Sequence, residues 1–298
     1  MFFKTIGGLF LGYNLVYIPG VDIYKYFIRE PYDLIQRYGE NTWVVVTGAS
    51  DGIGKEFARQ FAQKGFNIFL ISRTESKLQD ISEQLSKDYK VEVKYLAKDF
   101  TKSFEKDFFD DILSETKDLN VSVLVNNVGI GGTGPLLNHK VEKFYDLMAV
   151  NTVPQAILSH EFIPRMLNRE KKSAIINLSS IAATKPFGLY PVYSSTKVFN
   201  DYLSRASAHE HIDKIDTLSV RPYYVSTPST GHKSLQYDTI SAESCISGAL
   251  NALGYDRWTN AHWKHKIASH FLELVDDQWL QSYLITKRRK QANKPKYL

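Results

Sequence analysis

From Trp43 onward, short apolar runs alternate with longer stretches in which apolar residues return every three or four positions. Trp43–Thr47 (WVVVT) is an unbroken run ending in a glycine-rich turn, the pattern of a strand buried on both faces. Further strands are predicted at Asn67–Ser72 (NIFLIS), Val91–Leu96 (VEVKYL), Val121–Asn126 (VSVLVN), Ala174–Leu178 (AIINL) and Thr217–Val220 (TLSV). Between the first two, Ile53, Phe57, Phe61 and Ala62 follow helical spacing as far as Gly65. Strands separated by helices predict an α/β fold with a doubly wound parallel sheet, covered on both faces. Such sheets bind ligands beyond the carboxyl ends of their strands, where the strand order reverses.

Three regions follow from the pattern: an N-terminal arm at 1–40, a catalytic domain at 41–255 and a C-terminal extension at 256–298. The arm is aromatic and has no acid before Asp22. Its apolar stretch from Ile6 to Pro19 is shorter than the roughly 20 residues a membrane span needs, and Gly7, Gly8 and Gly12 weaken it as a free helix. It reads as a segment lying in a membrane surface, or else as an arm packed on the domain. No small-residue cleavage site precedes Pro19, so no cleaved leader is expected. The extension carries Trp258, Trp263, Phe271, Leu274 and Trp279 with Lys264, Lys266 and a basic run at 287–290. This is the composition of an amphipathic membrane-associating element, or of a helix packed on the domain. The polar segment from Thr227 to Tyr237, holding Pro228 and Gly231, is placed as a substrate lid.

Composition narrows the field. Hydrophobic residues make up 43% of the 298 positions, enough for a sizeable core. The net charge of +5 comes without the basic and aromatic interleaving of single-strand binders, so no nucleic-acid partner is expected. Cys245 is the single cysteine, so the chain has no internal disulfide and suits a reducing compartment. His262 and His265 have an H-x-x-H spacing without an evident third ligand, and no metal is expected. The sequons at Asn120 and Asn177 run along predicted strands, where glycosylation is not expected.

The chemistry gathers past the predicted strand ends. Thr47-Gly48-Ala49-Ser50-Asp51-Gly52-Ile53-Gly54 joins strand to helix, with glycines where a backbone must approach phosphates at a helix start. Its spacing, Gly-x3-Gly-x-Gly, differs from the common G-x-G-x-x-G. A ribose 2′-hydroxyl calls for Asp or Glu at the end of the second strand. Ser72 and Arg73 stand there instead, suited to a 2′-phosphate, which predicts NADP(H). Tyr193 and Lys197 are four apart and share a helix face. A lysine cation beside a phenol is expected to lower its pKa from about 10. Ser180, just after the fifth strand, adds a hydroxyl for a substrate carbonyl.

Together these motifs resemble the short-chain dehydrogenase/reductase family. They are TGASDGIG at 47–54, Asp99, NNVG at 126–129, Asn151, the Ser180/Tyr193/Lys197 set and RPYYVST at 221–227, spanning 43 to about 230 in the family's order. The resemblance implies a Rossmann-like single domain and a role for each position. Gly48, Ser50, Ile53 and Gly54 would line the cofactor loop. Asp99 would hold the adenine, and Asn127 and Gly129 would flank the adenosine ribose. Asn151 would hold a proton-relay water. Ser180 would orient the carbonyl, Tyr193 donate the proton, and Lys197 hold the nicotinamide ribose and tune Tyr193. Val225 and Thr227 would contact the nicotinamide side.

NNVG in place of NNAG, Tyr223 after Pro222, LYPVYSSTK at 189–197 and GYDRWTNAHWKH at 254–265 resemble one branch, the membrane-bound very-long-chain 3-oxoacyl-CoA reductases and their 17β-hydroxysteroid dehydrogenase relatives. That branch implies reduction of a 3-oxoacyl-CoA to the 3-hydroxyacyl-CoA in fatty-acid elongation. A steroid or other lipid-alcohol dehydrogenase fits the same residues. A non-catalytic subunit of a membrane complex is a reading of another class, and a homo-oligomer is a further possible assembly. Lys294 and Lys296, fifth and third from the end, resemble a dilysine signal of the endoplasmic-reticulum membrane read on its cytosolic face. The short N-terminal segment leaves a mitochondrial membrane as the alternative.

Overall fold

The structure, a computed structural model, describes residues 18–231, 234–235 and 238–292. Most of the apolar stretch before Pro19 and the lysines at 294 and 296 lie outside them, as do four positions of the segment placed as a lid.

Seven parallel strands form the central sheet: β1 (Trp43–Thr47), β2 (Asn67–Ser72), β3 (Val93–Ala97), β4 (Val121–Asn126), β5 (Ser173–Leu178), β6 (Ile215–Val220) and a two-residue strand at Trp258–Thr259. Their order in space is β3-β2-β1-β4-β5-β6 and then Trp258–Thr259. The chain winds outward from β1 in one direction and from β4 in the other, so the crevice of the doubly wound sheet lies between β1 and β4. Two further strands, β7 (Tyr224–Ser226) and β8 (Thr239–Ser241), pair with each other in parallel outside this sheet, and the edge strand Trp258–Thr259 is β9.

The helices are α1 (Ile18–Ile23), α2 (Leu34–Tyr38), α3 (Gly52–Gln63), α4 (Glu75–Tyr89), α5 (Asp110–Glu115), α6 (Val141–Asn151), α7 (Val153–Leu167), α8 (Pro191–Ser207), α9 (Ala242–Ala252), α10 (Trp263–Leu274) and α11 (Asp277–Ala292). Successive strand residues point to opposite faces, so each face has its own core. Val44, Val46, Ile68 and Leu70 pack with Phe57 and Phe61 of α3 and Ile246 of α9. Val45, Phe69, Leu124 and Ile175 pack with Leu158, Phe162 and Met166 of α7.

Three strands begin away from their predicted starts, and local contacts explain two of them. β5 and β6 each start earlier, at Ser173 and Ile215. Asp216 belongs to β6 because its carboxylate is satisfied there, accepting from Arg37 Nε (2.6 Å) and Tyr38 Oη (2.9 Å). β3 runs from Val93 to Ala97, two residues late, because α4 closes on Lys90 in the left-handed conformation.

The packed body exceeds the expected 41–255 limits at both ends. Leu34 and Tyr38 belong to the core, with Tyr38 fully buried, so the arm's last residues pack on the domain. β9 and the buried His265 lie past 255 and complete the sheet and its cover. Among the described residues no helix is long and apolar enough to cross a membrane. Large apolar side chains stand exposed on both terminal segments, including Phe27, Ile28, Phe271, Leu274 and Trp279.

Candidate active site

The glycine loop is shaped by the end of β4. Thr47 Oγ1 accepts from the backbone N–H of Asn127 (3.0 Å) and Val128 (3.1 Å). Asn127 Nδ2 returns to the carbonyls of Thr47 (2.9 Å) and Gly48 (3.2 Å). Gly48 has φ +66°, and a Cβ there would stand 2.9 Å from both Asn127 Nδ2 and Val128 Cα. A Cβ on Gly54 would meet the Gly48 carbonyl oxygen at 2.2 Å. Backbone therefore passes where side chains cannot, leaving a smooth cradle in front of α3. Asp51 caps that helix, accepting from Gly52 N at 2.8 Å. Ile53 is half-buried within its first turn.

The residues expected to meet a 2′-phosphate stand at the end of β2. Ser50 Oγ and Ser72 Oγ are 2.8 Å apart, which ties the loop to the end of β2, and Arg73 follows, exposed. Asp99 Oδ1 accepts from Thr101 N (3.1 Å) and Thr101 Oγ1 (3.0 Å), holding the carboxylate at the end of β3. These residues fit a dinucleotide: close backbone, a helix start and a cation beyond β2.

Ser180, Tyr193 and Lys197 come together beyond the ends of β5 and β4. Ser180 Oγ accepts from Ala182 N at 3.1 Å, which fixes its rotamer and leaves its O–H free to donate. That hydroxyl stands near the Tyr193 phenol and favours its ionised form. Ser179 Oγ donates to the Lys197 carbonyl (2.7 Å), anchoring β5 to the middle of α8. Lys197 Nζ donates to Leu178 O at 3.0 Å and lies 5.9 Å from the centre of the Tyr193 ring.

One electrostatic expectation is reversed. Burial of the hydroxyl end raises the Tyr193 pKa above its ordinary value, and Ser180 opposes this only in part. Lys197 is buried as well, and burial lowers its pKa to about 8. Desolvation penalises the charged form of both groups and is the largest influence on each.

Asn151 is held at both ends of its amide. Its Oδ1 accepts from Ile130 N (2.8 Å), and its Nδ2 donates to Ile130 O (3.1 Å) and Thr196 Oγ1 (3.0 Å). Both amide hydrogens brace protein, so the side chain fixes the loop after β4 against α8. Gly129 sits over it: a Cβ there would stand 3.3 Å from Lys197 Nζ and 3.4 Å from Asn151 Oδ1. Val225 is buried in the core and offers the site backbone alone. Thr227 abuts the glycine loop, its Cγ2 3.0 Å from where a Gly52 Cβ would be.

Sequence reasoning missed an aromatic wall. The Tyr190 ring is edge-on to Tyr193 at 6.4 Å, and Tyr223 packs on Tyr224 at 4.4 Å. Tyr190 acts on the ionisation of Tyr193 and Tyr223, and Tyr224 on that of Tyr190, so the four phenols share one space. The paired tyrosines of RPYYVST at 221–227 were the available signal. His265 of the H-x-x-H pair stands behind this wall, its Nδ1 accepting from Tyr223 N at 3.2 Å.

Comparison with known proteins agrees with this geometry. The profile of the short chain dehydrogenase family matches residues 42–238. Hydroxysteroid dehydrogenase-like protein 1 of Gallus gallus is 34% identical over 87% of this chain and 80% of its own. The Homo sapiens protein named inactive hydroxysteroid dehydrogenase-like protein 1 is 33% identical over the same shares. The very-long-chain 3-oxoacyl-CoA reductase let-767 of Caenorhabditis elegans is 32% identical over 89% of this chain and 85% of its own. Among solved structures, a 7β-hydroxysteroid dehydrogenase superposes with TM-score 0.76 at 22% identity, covering 85% of this chain and 99% of that one. A short-chain dehydrogenase from Sphingobium yanoikuyae in complex with NADPH gives 0.67 at 22% identity, covering 86% and 98%. The chain belongs to the short-chain dehydrogenase family.

Proposed function

We propose that this chain is an NADPH-dependent reductase of a lipid ketone, acting on a 3-oxoacyl-CoA to form the 3-hydroxyacyl-CoA of very-long-chain fatty-acid elongation. The observation that carries the reading is the gathering of Ser180, Tyr193 and Lys197 past the end of β5, with the Lys197 amine 5.9 Å from the centre of the Tyr193 ring and one turn along the same helix. Ser50, Ser72 and Arg73 would hold the 2′-phosphate, Asp99 the adenine and Lys197 the nicotinamide ribose. When bound, the cofactor supplies a hydride to the ketone carbon. Ser180 and Tyr193 donate hydrogen bonds to the carbonyl oxygen as its charge grows, and Tyr193 gives it the proton. The raised Tyr193 pKa keeps the phenol protonated, which suits a proton donor.

The aromatic wall and the relatives' names support a large apolar substrate, an acyl-CoA or alternatively a steroid. The exposed Phe271, Leu274 and Trp279, with Lys264 and Lys266 nearby, support a site at a membrane surface. With the dilysine-like end, this favours the cytosolic face of the endoplasmic reticulum over a mitochondrial membrane.

The test is NADPH oxidation by the purified protein with 3-oxoacyl-CoAs of graded length beside a steroid ketone. Activity rising with chain length supports the elongation reading, and activity confined to the steroid replaces it with a steroid dehydrogenase. The inactive human relative keeps a second reading open, a non-catalytic subunit of a membrane complex. Copurification in a stable large complex with no NADPH oxidation on either ketone class would establish that instead.

A further inference from the structure

The segment from Thr184 to Tyr190 links the Ser180 turn to α8 and ends beside the catalytic tyrosine. Its far side is fastened to the last described helix of the chain. Gln281 of α11 grips it with both ends of its amide: Gly188 N donates to Oε1 (2.7 Å), and Nε2 donates to Pro186 O (2.5 Å). Lys185 pairs with Asp277 Oδ1 (2.8 Å) and donates to the Val275 carbonyl at the junction of α10 and α11. On its inner side Leu189 O accepts from Gly134 N (2.6 Å), in the loop after β4.

The fit between Gln281 and Gly188 is close. A Cβ on Gly188 would stand 2.5 Å from Oε1 and 3.7 Å from Cδ of Gln281, with no other atom within 4 Å. A residue more than ninety positions away is thus the neighbour that a methyl group on Gly188 would displace. Two residues on, Tyr190 caps the start of α8 and turns its ring to Tyr193. Where the strap is held, that wall of the site is held.

We propose that Gln281, backed by Lys185, is a positioning residue for substrate selection, latching the 184–190 strap so that Tyr190 forms a fixed wall for large ketones. The inference rests on the reductase reading above for its substrate class, while the latch itself does not. A long acyl chain or a steroid must lie along the wall, whereas a four-carbon ketone reaches Ser180 and Tyr193 with little contact to it. Loss of two exposed hydrogen bonds, each near the low end of the usual net range, predicts a change of about five- to tenfold.

The test uses the full chain with Gln281→Ala, Gln281→Glu, Gly188→Ala and the Gly188→Ala/Gln281→Ala pair. Amide exchange over residues 185–190 should quicken in Gln281→Ala with the melting temperature nearly unchanged. KM for a long-chain 3-oxoacyl-CoA should rise about five- to tenfold, with kcat and the KM for acetoacetyl-CoA little altered. Gln281→Glu, which keeps the acceptor for Gly188 N and loses the donor, should fall between. Gly188→Ala should be harmful while Gln281 is present and silent once Gln281→Ala has removed the amide that its methyl would meet, so the two changes should not add. Unchanged exchange in Gln281→Ala, additive effects of the pair, or quicker exchange with an unaltered KM ratio would each overturn the proposal. A wild-type protein that oxidises NADPH with no ketone would overturn the reductase reading and, with it, the selection role, while the exchange data alone would still decide the latch.

Discussion

The amine of Lys197 lies 3.3 Å from the point where a side chain on Gly129 would begin. Gly129 has an ordinary backbone, so alanine there strains nothing locally; its methyl meets the amine and Asn151 Oδ1 instead. Gly129→Ala is expected to fold with a melting temperature near that of the wild type and to lose about tenfold or more in kcat/KM for NADPH-dependent reduction. Steady-state kinetics beside a thermal melt separates that from misfolding.

On the proposed mechanism, Tyr193→Phe removes the proton donor and one of two donors to the carbonyl oxygen. Turnover is expected to fall by about 10²–10⁴, while NADPH binding, followed by cofactor fluorescence, persists. Near-normal turnover would remove Tyr193 from the chemistry.

Arg73 stands exposed at the end of β2, beside the Ser50–Ser72 contact. On the proposed reading, Arg73→Glu replaces a phosphate partner with a ribose partner. The ratio of kcat/KM for NADPH over NADH is expected to drop by about ten- to a hundredfold, as for loss of hydrogen bonds to a charged group.

Lys197 carries a pH signature of its own. Burial lowers its pKa from 10.5 to about 8, so between these values the unfolded chain holds a proton that the folded chain has released. Stability from this group therefore rises with pH across that window, and the penalty is complete below pH 8. A displacement of this size corresponds to about 3 kcal/mol. Lys197→Met should be more stable than the wild type at pH 7, by somewhat less because Leu178 O loses a donor, and the gap should narrow from pH 8 to 10.5. Urea melts across that range measure it.

His265 works in the opposite pH region. Burial, with His262 nearby, lowers its pKa from 6.5 to about 4. The unfolded chain takes up a proton between those values that the folded chain refuses, so stability falls as pH drops from 6.5 to 4. The loss is on the order of 3 kcal/mol. His265→Gln, which can keep an acceptor for Tyr223 N, should lack this part of the acid limb in pH-dependent denaturation.

Much of the site was legible because its parts are local. The run WVVVT predicts β1 to the residue, and Tyr193 and Lys197 need only one helix to share a face. What was not legible depends on contacts across the fold. Asn127 and Asn151 bear amides that could serve a ligand, yet the fold sets both to bracing backbone, which no spacing reveals. The Tyr193 pKa follows from depth, and sequence carries charge but not depth. β9 is two residues long, too short to leave a periodicity. Gln281 looks like any polar residue of a surface helix until Gly188 is seen beneath it.

The small pair β7–β8 has a bearing on how such a site could change over time. Tyr224 to Ser226 lie in parallel register with Thr239 to Ser241, so the chain leaves β7 at Ser226 and enters β8 beside Tyr224, two strand positions back. Both anchors stand on the core through Val225 and Ile240. A connection whose two ends are held on one small strand pair can lengthen at little cost, about 0.6 kcal/mol for each doubling of a flexible loop. The portion of the chain just past Thr227 is thus free to be rewritten for a new substrate, while the glycine loop, Ser180 and α8 keep their places.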